Sequence, residues 1–264
     1  MKARVLHVSD LHIRRQERLD ALDPLQNLTE QLEPTLVLAT GDLAHRGRLT
    51  ELERAADFLR RLQCPLVAVP GNHDIPYTIA RLTRPFALWR HVFGETEPVF
   101  RDEGLIVLGL NSVRPRRHQN GALSDRQLSR ARDELRAAGD AFKIVAFHHH
   151  VVSPPWRAPN KAPVDQRDLV LRTLADAGAD LVLSGHVHQA AIATQMEFEV
   201  FDASSSKGIV LAIAPGLGRP RPSRSGEAQG LNVYEVDPGS LTVTTLAWNG
   251  NDFAEVARRT FPRT

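Results

Sequence analysis

Six short apolar runs, each rich in Val, Ile and Leu and each closed by turn residues, constrain this chain more than any other feature. Runs of this length without polar alternation read as strands buried on both faces. They predict strands at residues 4–8, 36–40, 66–69, 105–110, 143–147 and 181–184. Between them, apolar residues at helical spacing predict helices over residues 20–32, 50–62, 124–138 and 165–177. In the third helix Ser124 is placed to cap the start, and Gly139 lies beyond the end. Strand and helix in alternation imply α/β packing.

Beyond Gln189 the strand patterns continue without helices, at residues 191–201 and 208–214 and then in a hairpin around Asp237-Pro238-Gly239-Ser240. The last third is therefore expected to form a second sheet. Residues 214–230, rich in Gly, Pro and Arg, read as a loop, and 264 residues suit a single domain over 1–264.

The formal net charge is only +2, and lysine occurs only at Lys2, Lys143, Lys161 and Lys207. That balance suits phosphate-sized partners better than duplex DNA, which calls for a dense basic stripe. Cys64 is the only cysteine, which excludes an intramolecular disulfide and a cysteine-based zinc site. The first apolar run, residues 5–8, is too short for a signal segment or a membrane span, so no membrane association and a cytoplasmic location are expected.

The strand exits carry the chemistry. They read Asp10 and His12; Gly41-Asp42; Gly71-Asn72-His73-Asp74; His148-His149-His150; and Gly185-His186-Val187-His188. Open α/β sheets place ligands at the carboxyl ends of their strands, so these exits point to one edge. Any one motif alone has an ordinary reading as a cap, a turn or a solvated surface. Together, four imidazoles, two carboxylates and an amide exceed what one ion needs and suit Mn, Fe, Co, Ni or Zn. Two divalent ions sharing one carboxylate, with a bridging hydroxide, would leave a net positive charge to attract phosphate.

In order, D-x-H, G-D, G-N-H-D, H and G-H-x-H resemble the calcineurin-like metallophosphoesterase superfamily. That resemblance implies a two-sheet β-sandwich flanked by helices, in four αββα layers. It implies that Asp10, His12 and His188 hold one metal and Asn72, His148 and His186 the other, with Asp42 bridging. A metal-bridging hydroxide would attack phosphorus, and His73 would protonate the leaving oxygen or stabilise its charge. Asp74 would orient the His73 ring and hold its tautomer.

In "AFHHHVVSPP" the strand-ending His148 is taken as the ligand, His149 as second to it or facing substrate, and His150 as structural. His7 reads as an interior side chain, and His91 and His118 as surface. His45 lies nearer the exits without a direct role assigned.

"LGLNSVRPRRHQNGALSDRQL" resembles the class III cyclic-nucleotide phosphodiesterase branch, although Asn111 stands where that branch often has Asp. Arg114, Arg116 and Arg117, Arg157 and Lys161, and Arg219, Arg221 and Arg224 supply cations on three loops. Of these, Arg114, Arg116, Arg117 and Arg224 join His149 as expected substrate contacts. Residues 114–123 are the expected lid.

The resulting expectation is a phosphohydrolase acting on small diesters such as cyclic nucleotides, with a homodimer allowed. A nuclease of the DNA-repair branch and a non-catalytic scaffold, like the retromer subunit on this fold, are the alternatives.

Overall fold

A computed structural model describes residues 2–16, 22–152, 161–194, 197, 208–219, 227 and 229–263. Two six-stranded sheets carry the architecture. In the first, β1 (Ala3–Val8) pairs in parallel with β2 (Leu36–Ala39), and β2 with β3 (Leu66–Ala68). The second contains β4 (Val99–Asp102), β5 (Leu105–Gly109), β6 (Phe142–Ala146) and β7 (Leu181–Ser184). It ends with β9 (Val210–Ile213) and then β8 (Ala191–Thr194) at the edge. The opposite side of β1 is covered by antiparallel β10 (Gly230–Asp237), followed by β11 (Ser240–Trp248) and β12 (Phe253–Pro262).

The continuous apolar runs follow from burial on both faces. In β1, Val5 packs between the sheets with Leu36, Leu38 and Ile144, while Leu6 and Val8 face the opposite layer. There they meet Leu25 of α1 (Leu22–Leu32), Leu52 and Leu59 of α2 (Leu49–Arg60) and Trp89. On the far side Val145 and Val182 pack against Leu128 and Leu135 of α5 (Asp125–Ala137) and Leu174 of α6 (Arg167–Asp176). The result is the expected four-layer αββα sandwich. Ser124 caps α5, and its backbone N–H donates to Gln127 Oε1 at 2.9 Å.

The chain after Gln189 does not build a sheet of its own. Strands β8 and β9 extend the second sheet, whereas β10 pairs with β1, with Val5 opposite Tyr234. An uncovered β1 edge would expose unpaired backbone groups, and the C-terminal strands close it. The strand expected at 191–201 ends at Thr194, and most of its remainder lies outside the described residues.

Helices α3 (Ala80–Thr83) and α4 (Ala87–Phe93) and strand β4 were not anticipated. Helix α3 buries no residue and α4 only Trp89, so neither leaves a hydrophobic period to read. Strand β12 buries only Phe253 and Phe261 of its ten residues, as an edge strand can.

Candidate metal centre

The expected donors leave the carboxyl ends of β1, β2, β3, β6 and β7, and both sheets deliver them to one edge. The backbone at these exits is unusual. Among the described residues, eight non-glycine residues have positive φ, and five are Asp10 (54°), His12 (48°), Asp42 (52°), His186 (72°) and His188 (58°). Such conformations cost about 1–3 kcal/mol each and persist where the surroundings impose them, typically at functional sites. Gly185 has no room for a side chain, since a Cβ would lie 1.8 Å from Ser9 Oγ and 2.6 Å from Asp10 Oδ2. That close approach seats the β7 exit on the β1 exit.

Two groups of donor atoms result. In one, His188 Nε2 lies 3.1 Å from Asp10 Oδ1 and 3.1 Å from His12 Nε2. In the other, His148 Nε2 lies 3.2 Å from Asn72 Oδ1 and 3.1 Å from His186 Nδ1. Asp42 Oδ2 stands between them, 3.7 Å from His12 Nε2 and 3.4 Å from His148 Nε2.

Each donor is held from behind. Asp10 Oδ2 accepts from Ser9 Oγ at 2.7 Å and from the His186 N–H at 2.8 Å. Asp42 Oδ1 accepts the His73 N–H at 2.8 Å. His148 Nδ1 donates to the Thr40 carbonyl at 2.7 Å, which turns Nε2 toward Asn72, His186 and Asp42.

These residues fit divalent cations. Asp10 Oδ1 is buried without a hydrogen bond, and His12 Nε2 meets His188 Nε2 as His148 Nε2 meets His186 Nδ1, each at 3.1 Å, so at most one nitrogen of each pair can carry a proton. Burial holds His12 and His186 well below the usual imidazole range, in the neutral form that binds metal. Burial disfavours charge on His148 too, but Asp42 and Asp10 outweigh it and push the ring up to about 9.

The sequence model of calcineurin-like phosphoesterases matches residues 3–190. The chain belongs to the calcineurin-like phosphoesterase family.

Among relatives of this phosphoesterase, a probable cyclic nucleotide phosphodiesterase of Synechococcus sp. is 30% identical over 166 residues, 62% of this chain and 61% of that protein. The 3′,5′-cyclic adenosine monophosphate phosphodiesterase CpdA of Pseudomonas aeruginosa is 30% identical over 210 residues, 70% of this chain and 69% of that protein. The yellow lupin purple acid phosphatase PPD1 shares the fold, with a TM-score of 0.72 over 100% of this chain and 54% of that one, at 12% identity.

Other expected site residues of the phosphoesterase are placed differently. Asp74 does not orient His73. Its Oδ1 accepts the Ala44 N–H at 2.7 Å and its Oδ2 the Gly71 N–H at 2.8 Å, tying the β2 and β3 exits together. Burial, with Asp42 nearby, pushes the Asp74 carboxyl up to about 8 against those two N–H groups. His73 Nδ1 instead faces the His45 carbonyl at 2.8 Å and the Tyr77 hydroxyl at 3.1 Å.

His149 is buried beside His148 and His186, with Nδ1 2.8 Å from Ser112 Oγ. Arg114 turns to Gln127 Oε1 at 3.1 Å and Arg117 pairs with Asp165, so neither reaches the donor groups. A guanidinium follows the nearest acceptor its long stem can reach, which here lies on or next to a helix. Arg116 is exposed, and Arg224 lies outside the described residues. Residues 114–123 are held at two points. Arg81 Nε donates to the Pro115 carbonyl at 2.8 Å, and Gly121 packs directly on the His149 ring.

Ser9, Thr40, Ser112 and Tyr77 were not singled out from sequence. His45 acts through its carbonyl, and its ring joins His12 and His73, with ligand-type atoms within 4.8 Å of one another. Ser9 and Thr40 adjoin the first two motifs, which is the one signal that could have marked them. The described residues include no helix long and apolar enough to cross a membrane.

Proposed function

We propose that this phosphoesterase is a dinuclear-metal phosphodiesterase acting on small diesters such as cyclic nucleotides. The observation that carries the reading is Asp42 Oδ2, set between His12 Nε2 at 3.7 Å and His148 Nε2 at 3.4 Å. Asp10, His12 and His188 would hold one divalent ion and Asn72, His148 and His186 the other, with Asp42 shared. When bound, such a pair supplies Lewis-acid polarisation of phosphate oxygens and a nucleophile at neutral pH.

The chain's own part is positioning and proton supply. Thr40 fixes the His148 tautomer, and Ser9 with the His186 N–H fixes Asp10. With Nδ1 of His73 held at the His45 carbonyl, Nε2 is the nitrogen left to give a proton to the leaving oxygen. The names of the Synechococcus and Pseudomonas relatives support a cyclic-nucleotide substrate.

The test is turnover by metal-stripped protein reconstituted with Mn, Fe, Zn, Co or Ni, offered cyclic nucleotides, glycerophosphodiesters, monoesters and a labelled DNA strand. Metal-dependent diester hydrolysis with weak salt dependence is expected. DNA as the far better substrate, with affinity falling about 10³–10⁵-fold between 50 and 200 mM salt, would replace this reading with the nuclease one.

A further inference from the structure

Ser112, in the segment that follows β5, is fully buried and touches His149 twice. Its Oγ accepts the His149 backbone N–H at 3.2 Å and lies 2.8 Å from Nδ1 of the His149 ring. The backbone of Gly121 is pressed on that ring and leaves it little room to turn, since a Cβ there would lie 2.3 Å from Cγ and 2.4 Å from Nδ1 of His149. Gly121 is itself held in place. The Ala122 N–H donates to the Ser112 carbonyl at 3.0 Å, and the Asp165 N–H to the Gly121 carbonyl at 2.9 Å.

The position of one proton follows. Among the described residues, His149 Nδ1 is the one acceptor that meets Ser112 Oγ. If Nδ1 carried the ring proton, the buried hydroxyl proton of Ser112 would lack an acceptor and Nε2 would lack a donor. If Nε2 carries it, the hydroxyl donates to Nδ1 and only the Nε2–H is left over, one unpaired group in place of two. His149 Nε2 is in fact buried with no hydrogen-bond partner among the described residues.

A ring nitrogen that carries a proton has no lone pair for a cation. That decides what His149 does beside the second donor group. His148, His149 and His186 each offer a ring nitrogen, and these three atoms lie within 4.8 Å of one another, close enough for all three to hold one ion.

We propose that Ser112 is a positioning residue of the second donor group: its hydroxyl locks His149 in the Nε2–H tautomer and so keeps that ring off the ion that Asn72, His148 and His186 would hold. The proposal rests on the two-ion reading and adds to it what keeps a ligand position open, as catalytic metal sites require. In Ser112→Ala the lock is gone. The ring proton moves from Nε2 to Nδ1, and the lone pair left at Nε2 joins the ion.

The test is nitrogen NMR of isotope-labelled histidine rings, which reads each tautomer directly, on metal-free and zinc-loaded protein. The signals of His149 are those missing from His149→Gln. Wild type should carry the proton on Nε2 in both states. Zinc-loaded Ser112→Ala should carry it on Nδ1, bind the second zinc at least about tenfold more tightly and lose about tenfold in turnover, the size of effect an outer partner commands. Damage to packing alone would weaken zinc binding instead. The proton on Nδ1 in wild type, an unchanged tautomer in zinc-loaded Ser112→Ala, or weaker zinc binding by that variant would overturn the proposal. If wild type binds no zinc, the two-ion reading fails and the metal-free spectrum decides the lock alone. The proton on Nε2 then upholds it, and the proton on Nδ1 overturns it.

Discussion

Asp42 Oδ2 lies 3.4 Å from His148 Nε2, although the two residues leave strands of different sheets. Asp42 follows β2 in the first sheet and His148 follows β6 in the second, so their contact spans the two sheets at the edge where the candidate donors gather. Thr40, two residues before Asp42, also accepts from His148 Nδ1 at 2.7 Å. The centre therefore depends on both sheets being in place.

Asp42→Ala should be the most damaging single change. It removes the carboxylate between the two donor groups and leaves any two cations there repelling one another. Elemental analysis should show at least one ion lost per chain, with turnover reduced more than about 100-fold, beyond the usual effect of an outer partner. Full metal content in this variant would remove Asp42 from the bridging position.

His148→Ala and His149→Ala should separate. His148 Nε2 faces Asn72, Asp42 and His186, whereas His149 is held by Ser112. The first variant should bind one ion fewer. The second should keep both and lose about tenfold in turnover, as for a neighbour of the ligands. The reverse pattern of metal content would make His149 the ligand.

Gly71→Ala should damage the site through space alone. A Cβ there would lie 2.2 Å from the Asp42 N and 2.3 Å from Asp42 Oδ1, so the carboxylate must move. Overpacking at such a point costs about 1–3 kcal/mol. A lower urea midpoint with weakened metal binding is expected, and unchanged values of both would show that the exits are looser than the structure has them.

His7 should set part of the acid limb of stability. Burial between Tyr234 and Thr40 lowers its ring from the ordinary 6.5 to about 3, despite the pull of Asp10. The unfolded chain therefore binds the extra proton between those values, so this contribution is complete above pH 6.5 and lost as pH falls toward 3. The slope in that window is about 1.4 kcal/mol per pH unit. Urea titrations from pH 7 to 4 should show a shallower fall for His7→Gln than for wild type, and parallel curves would place the titration elsewhere.

Much of the fold was legible because its signals are local. A strand buried on both faces is largely apolar, and Val5, Leu6 and Val8 show this within one short run, with buried His7 paired to Tyr234 and Thr40. The candidate donors stood out for the same reason, since each follows its strand by two to four residues: Asp10 and His12 after β1, Asp42 after β2, His148 after β6. A strand exit can be recognised without knowing which strands are neighbours.

What tertiary structure alone decided depends on residues far apart in the chain. The pairing of β10 with β1 links Val5 to Tyr234, and no local pattern distinguishes that from a separate sheet. Asp74 follows His73 directly, yet the opposite loop turns its carboxylate to Ala44 and gives His73 to the His45 carbonyl. Arg117 meets Asp165 across 48 positions, so a cation that suits a phosphate in sequence is already paired in space. The sequence by itself determined the buried strands and the polar clusters at their ends, because burial and chain reversal act over a few residues. The partners of each polar side chain were settled only by folding, because they depend on which distant segments the closed sandwich brings within reach.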